Sequence, residues 1–254
     1  MRILVTGSAD GLGKAAAQEL LRNGHDVVVH VRHSDRAHAV RDLLDRGAEL
    51  VIGDLADATQ TRQVADQVNA LGRMDAVIHN AGVGSGPAVI PVNVVAPYLL
   101  TACMLRPERL VYLSSGMHRG GRPNLTHIDW AGTRAGNYSD SKLLVTTLAM
   151  AVARLWPDTA SNAVDPGWVP TRMGGPSAPD DLRLGHLTQE WLATSDDPQA
   201  RSTGGYWHHQ RLATAHPAVH DEDFQRRLLD ELARFTGITL NVRLSVEYDS
   251  ESDI

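Results

Sequence analysis

The sequence predicts an α/β domain of the doubly wound kind, a parallel sheet with helices on both faces. Short β-branched runs alternate with helical patterns from Arg2 to Gly167, as in strands joined by right-handed crossovers. A glycine-rich turn, TGSADGLG, falls at the junction of the first strand and the first helix. Two long irregular segments each follow a strand, so both should overhang the carboxyl edge of the sheet, where ligands bind in open parallel sheets.

The elements follow in order. RILVT (2–6) is a buried strand, and GKAAAQELLRNG the helix after it, closed by Gly24. DVVVHV is the second strand, DRAHAVRDLLDRG the second helix, and AELVIGD the third strand. DATQTRQVADQVNALG, MDAVIHNAG, PVNVVAPYLLTACML and RLVYLSSG continue the alternation as helix, strand, helix and strand. A long helix from Tyr138 to about Leu155 precedes a sixth strand, ASNAVDPG. The irregular segments span 119–137 and 170–197, the second too long and too rich in Pro and Gly for a simple connection. Residues 1–238 read as one domain and 239–254 as an extension. In that extension Val242, Leu244, Val246 and Tyr248 alternate with polar residues, as a short strand would, before an acidic end.

Composition narrows the function. The 254 residues suit one large domain, and 43% hydrophobic content supports a sizeable core. A net charge of -6 leaves no electrostatic footprint for nucleic acid. The lone cysteine, Cys103, forbids an internal disulfide and fits a reducing, cytoplasmic setting. No signal-like leader opens the chain, and no apolar run approaches the roughly 20 residues of a membrane span. Twelve histidines show no metal-ligand spacing, so no metal site is expected.

In the turn, glycines permit positive φ and let backbone N–H groups meet a pyrophosphate at the positive end of a helix. An acidic residue about twenty positions on would hold the ribose hydroxyl of NAD; an arginine there would accept the 2′-phosphate of NADP. His30, Val31 and Arg32 occupy that place, with Arg36 close behind. The planar fork of Arg32 favours NADP(H), with NAD(H) possible, because Asp10 in the turn would repel a 2′-phosphate unless it turns away or pairs with Arg32. Tyr138 and Lys142 lie four apart on one helix face, where an ammonium can lower a phenol's pKa and make it a usable acid or base.

These motifs, taken in order, resemble the short-chain dehydrogenase/reductase family with its Rossmann-type fold. They are Thr6-Gly7-x-x-x-Gly11-x-Gly13, Asp54, Asn80-Ala81-Gly82, Asn93, Ser115, Tyr138-x-x-x-Lys142 and Pro166-Gly167. The wide spacing from Ser115 to Tyr138, and the late GGYWHHQ before a closing helix, look most like the retinol-dehydrogenase and carbonyl-reductase branch.

The resemblance implies hydride transfer between a nicotinamide and a carbonyl or alcohol substrate. Tyr138 would be the acid or base, Lys142 its activator and ribose contact, and Ser115 (rather than Ser114) the carbonyl partner. Asn93 would link Lys142 to solvent through a water. The cofactor would be lined by Gly7, Ser8, Asp10, Gly11, Leu12 and Gly13 of the turn, by Arg32, and by Asp54 and Leu55. Asn80, Ala81 and Gly82 would line its adenosine side, and Pro166, Gly167, Val169 and Thr171 the nicotinamide side. Trp168 is a candidate for the substrate pocket, and Trp191 and Trp207 for either core or pocket. The Tyr138 helix, apolar beyond one stripe, suggests a homodimer. A nucleotide-sugar epimerase would need a larger C-terminal domain, and a cofactor-sensing regulator would lack the Tyr–Lys pair.

Overall fold

In a computed structural model the described residues are 1–240. The alternating strand expected from Val242 to Tyr248 lies outside them. Eight strands form one sheet in the order β3-β2-β1-β4-β5-β6-β7-β8. They are β1 (Arg2–Val5), β2 (Asp26–Val31), β3 (Glu49–Ile52), β4 (Ala76–His79), β5 (Arg109–Leu113), β6 (Ala160–Asp165), β7 (Tyr206–His208) and β8 (Arg211–Leu212). All neighbours pair in parallel except β7 and β8. The helices are α1 (Gly11–Arg22), α2 (Arg41–Leu44), α3 (Ala58–Ala70), α4 (Ala96–Cys103), α5 (Tyr138–Leu155), α6 (Leu182–Thr194) and α7 (Glu222–Thr236).

Strand alternation divides the core in two. Leu4, Val28, Val51, Val77, Leu110 and Tyr112 point to one face, where they meet apolar residues of α3, α4 and α5. Ile3, Val5, Val27, Val29, Ile78 and Val111 point to the other, against α1 and α6. A period of two on each strand, with both faces apolar, is what a sheet covered on both sides requires.

Three elements depart from the sequence reading. The second helix is a 3-10 turn (Ser34–Val40) followed by the single α-turn of α2. Side chains take the carbonyls that an α-helix would use: His38 bonds the Asp35 carbonyl, and Lys14 Nζ donates to that of Ala39 at 2.7 Å. The segment 170–197 contains α6, which the Pro and Gly around it concealed; Asp181 caps it by accepting the Arg183 N–H at 2.6 Å. Past β7 the chain turns back through His209 and Gln210, both at positive φ, to add β8.

The long helix α5 is buried from Asp140 to Ala153. Its second apolar side faces α7, where Phe224, Leu228 and Leu232 join the cluster of Leu144, Leu148 and Val152. The chain's own closing helix therefore covers the face from which a homodimer was expected.

Candidate active site

The order reversal between β1 and β4 opens the crevice in which doubly wound sheets bind nucleotides. The glycine turn stands there. Gly7 and Gly11 have φ of 68° and 55°, so each needs a residue without Cβ. At Gly7 a Cβ would also sit 2.9 Å from the Ala81 Cα. Asp10 is the N-cap of α1 but makes no side-chain cap, whereas Asp57, Asn137, Asp181 and Asp221 cap α3, α5, α6 and α7. The first N–H groups of α1 are left for an anion, which fits a pyrophosphate. Thr171, in the loop after β6, lies against Gly11, with its Cγ2 3.4 Å from where a Cβ would be.

Several residues expected to line the cofactor have side chains that turn inward or hold the backbone of the turn. Ser8 is fully buried and spends both donors inward, its hydroxyl on the Val5 carbonyl at 2.5 Å and its N–H on that of His30 at 3.0 Å. Leu55 and Val169 are each 5% exposed and pack inward. Leu12 is partly buried against the core beside Gly185. Asn80 Nδ2 donates to the carbonyls of Thr6 at 2.8 Å and Gly7 at 3.3 Å, holding the turn. The Ala81 N–H is tied to Thr6 Oγ1 at 3.0 Å. Pro166 leads into Gly167, whose φ of 80° turns the chain outward and whose N–H is held by Asp165 Oδ1 at 3.0 Å.

Two ion pairs form beyond the carboxyl ends of β1, β2 and β3. Arg32 Nε meets Asp54 Oδ2 at 2.9 Å, and Arg36 meets Asp10 at 3.4 Å. Asp10 thus pairs with Arg36 and not with Arg32.

Across the sheet the polar tetrad comes together. Tyr138, the first residue of α5, has the Ser115 side chain near enough to act on its phenol, while Ser115 Oγ accepts the Met117 N–H at 3.2 Å. Ser115 is half-buried after β5, whereas Ser114 is 2% exposed and its hydroxyl is bound to Thr146 at 2.6 Å. Lys142 is 4% exposed; Nζ donates to the Leu113 carbonyl at 2.7 Å and lies 5.5 Å from the Tyr138 ring centre. Burial holds its ammonium down at about 8. Burial also pushes the Tyr138 phenol up, against the lowering by Ser115 and with a further push from Asp165, so desolvation outweighs the activation expected from Lys142.

Asn93 stands at the start of the fourth helical segment, in a π-turn (Pro91–Val95). Pro97, four residues on, has no N–H to give the Asn93 carbonyl, which removes that α-helical bond. The side chain clamps Val83, accepting its N–H at 2.9 Å and donating to its carbonyl at 3.0 Å, and donates to Ser141 Oγ at 3.0 Å. Both amide donors are spent, so the side chain ties Val83 and Ser141 together beside Lys142. A Cβ at Gly82 would lie 3.4 Å from Asn93 Oδ1 and 3.6 Å from Lys142 Nζ, which leaves the lysine open on that side.

Residues 1–106 match the short chain dehydrogenase family. The short-chain dehydrogenase chry4 of Gibberella zeae is 36% identical over 255 residues, covering 94% of this chain and 98% of the relative. This chain belongs to the short-chain dehydrogenase family. It is an oxidoreductase of that family, and its relatives include retinol dehydrogenases, the branch that the motif spacing resembles. Retinol dehydrogenase 13 of Homo sapiens is 26% identical over 284 residues, covering 93% of this chain and 84% of its own. A crystal structure of a short chain dehydrogenase from Salmonella enterica superimposes with a TM-score of 0.68 at 27% identity, covering 83% of this chain and 96% of that one.

Motif matching named Thr6 and His30 but gave no positioning role to them or to Ser141, which hold the Asn80-Ala81-Gly82 stretch, the turn and Asn93. His30 was visible as the single imidazole in an otherwise apolar buried strand. Trp168 is 57% exposed at the catalytic edge, its indole N–H on the Gly174 carbonyl at 2.8 Å, whereas Trp207 is core and packs edge-on with Trp191. No helix among the described residues is long and apolar enough to cross a membrane.

Proposed function

We propose that this short-chain dehydrogenase reduces a carbonyl compound with NADPH, or runs the reverse alcohol oxidation, with Tyr138, Lys142, Ser115 and Asn93 as its tetrad. The observation that carries this reading is the buried Lys142, held on the Leu113 carbonyl with its ammonium 5.5 Å from the Tyr138 ring centre and Ser115 close to the phenol. It stands on the same sheet edge as the uncapped helix and glycine cradle.

When bound, the nicotinamide supplies or accepts the hydride. Ser115 would hold the substrate oxygen beside the phenol, fixing its orientation. Tyr138 would donate the proton as negative charge develops on that oxygen; its raised pKa keeps the phenol protonated at neutral pH, which suits reduction. Lys142 would contact the ribose and place positive charge beside the phenol, and Asn93 would keep Val83 and Ser141 in place around it. The arginines of the two exposed ion pairs, Arg32 and Arg36, would exchange carboxylate for the 2′-phosphate of NADP.

On the substrate side Met117, Trp168 and Met173 are each more than half exposed at the carboxyl edge, an apolar rim that suits a nonpolar carbonyl compound. The single free cysteine is the support for a cytoplasmic setting. Nicotinamide absorbance, followed with NADPH and a panel of aromatic and aliphatic ketones and aldehydes, tests the reading. Consumption that needs Tyr138 supports it, and binding without turnover across the panel would point to a sensor instead.

A further inference from the structure

His30 is 3% exposed near the end of β2, between the glycine turn and the end of β3. Its Nδ1 lies 3.1 Å from the Gly7 N–H, which can only donate. Its Nε2 lies 2.8 Å from the Gly53 carbonyl, which can only accept. Those two partners fix a neutral ring with its proton on Nε2. The His30 backbone is bound to the same turn, its N–H to Ser8 Oγ at 3.1 Å and its carbonyl to the Ser8 N–H at 3.0 Å. One residue thus holds both Gly7 and Ser8, the start of the pyrophosphate cradle, and ties them to β3.

A second proton on this ring would go to Nδ1, facing the Gly7 N–H. Two donors would then oppose each other, and the N–H of a glycine already at φ 68° would lose its partner. We propose that His30 is the positioning residue of the dinucleotide turn, and that acid opens the turn and releases the nucleotide by protonating it. This rests on the reading of the turn as a nicotinamide dinucleotide site. Burial pulls the imidazole below the usual histidine range, against opposing pulls from the Gly53 hydrogen bond and the Asp54 charge, so the neutral form is the resting one. The charged groups around it are Asp54 with its partner Arg32 and, across the turn, Asp10 with Arg36.

The experiment is direct binding of NADH and NADPH, by calorimetry, from pH 8 down to 5, for the unchanged protein, His30→Asn and His30→Gln. NADH lacks the 2′-phosphate, whose own ionisation near pH ~6 would mix with that of the ring. The unchanged protein should lose NADH affinity by roughly tenfold per pH unit below a midpoint set by one group. Asn offers a carbonyl near the place of Nδ1 and cannot take up the proton. His30→Asn should bind within about threefold of normal at pH 8 and lose the acid slope. Gln reaches towards Gly53 but leaves Gly7 without an acceptor, so His30→Gln should bind weakly at every pH, by about tenfold. Because either variant can fold poorly, the His30 ring signal of the unchanged protein should titrate by NMR at the midpoint of the affinity loss.

An acid slope that survives in His30→Asn would belong to the neighbouring carboxylates and overturn the proposal. So would a ring that does not titrate where affinity falls. Failure of both nucleotides to bind the unchanged protein at pH 8 would overturn the functional reading and this proposal together. Binding with pH-independent affinity would overturn this proposal alone.

Discussion

Lys142 donates its ammonium to the Leu113 carbonyl at 2.7 Å from a position only 4% exposed. That pair places a cation under the catalytic edge at a cost. The folded pKa of about 8 lies below the unfolded 10.5, so the folded state holds its proton less tightly. The penalty is complete below pH ~8 and disappears above about 10.5; stability from this group therefore rises with pH through that window. A gap of that size is worth on the order of 3 kcal/mol, less the Leu113 hydrogen bond. Lys142→Met should abolish turnover yet unfold at higher denaturant concentration at pH 7, with its advantage shrinking by pH 10. Denaturation of both proteins at the two pH values checks this; a variant less stable at pH 7 would show the lysine to be a net structural support.

The two adjacent serines should separate stability from chemistry. Ser114 is bound to Thr146 inside the fold, and Ser115 faces Tyr138. Ser114→Ala should cost about 1 kcal/mol of stability, the worth of a buried hydrogen bond, with turnover near normal. Ser115→Ala should leave stability and NADPH affinity near normal and lower kcat at least tenfold. Thermal melts and steady-state kinetics on both proteins decide it.

Cofactor choice should follow the two ion pairs at the adenosine end. Arg32→Ala should weaken NADPH roughly 10- to 100-fold, the range for hydrogen bonds to a charged group, while NADH changes little. Asp10→Asn frees Arg36 and removes a like charge from the phosphate region, so NADPH should bind a few-fold tighter. Equal NADPH and NADH affinities in the unchanged protein would contradict the NADP(H) assignment.

The closing helix should matter more than a second subunit. Leu228 of α7 is fully buried in the α5 cluster, and Arg154 of α5 bonds Gln225 Oε1 at 2.9 Å. Leu228→Ala should cost about 2–5 kcal/mol. With α5 already covered, light scattering should give about 27.5 kDa, the mass of a single chain. A stable dimer would require a face other than α5.

The parallel strands were legible because each is a short apolar run between turn signals, and because alternation of strand and helix leaves few topologies open. What failed was local. α6 was hidden by flanking Pro and Gly, although Asp181 before LRLGHLTQEWL carries a capping signal. The β7–β8 hairpin has His209-Gln210 where an Asn-Gly pair would have announced it. In the site, motif spacing put the candidate residues at the carboxyl edge, where the structure has them, but could not show which way each side chain turns. Ser8 gives its N–H to the His30 carbonyl and Asn80 its amide to the Thr6 carbonyl, and those bonds depend on the packed arrangement of strand ends distant in sequence.

Tyr138→Phe tests the proposed chemistry most directly, because it removes one oxygen and leaves the ring that packs beside Lys142. Turnover with NADPH and a carbonyl substrate should fall by at least the ~10²-fold that a positioned general acid supplies, while NADPH affinity stays within about twofold. In the unchanged protein the reduction rate should stay level below pH 8 and fall in alkali, first as Lys142 loses its charge near 8 and then as the phenol, with its raised pKa, loses its proton. A Tyr138→Phe protein that reduces its substrate at near-normal rate would show that the proton comes from elsewhere.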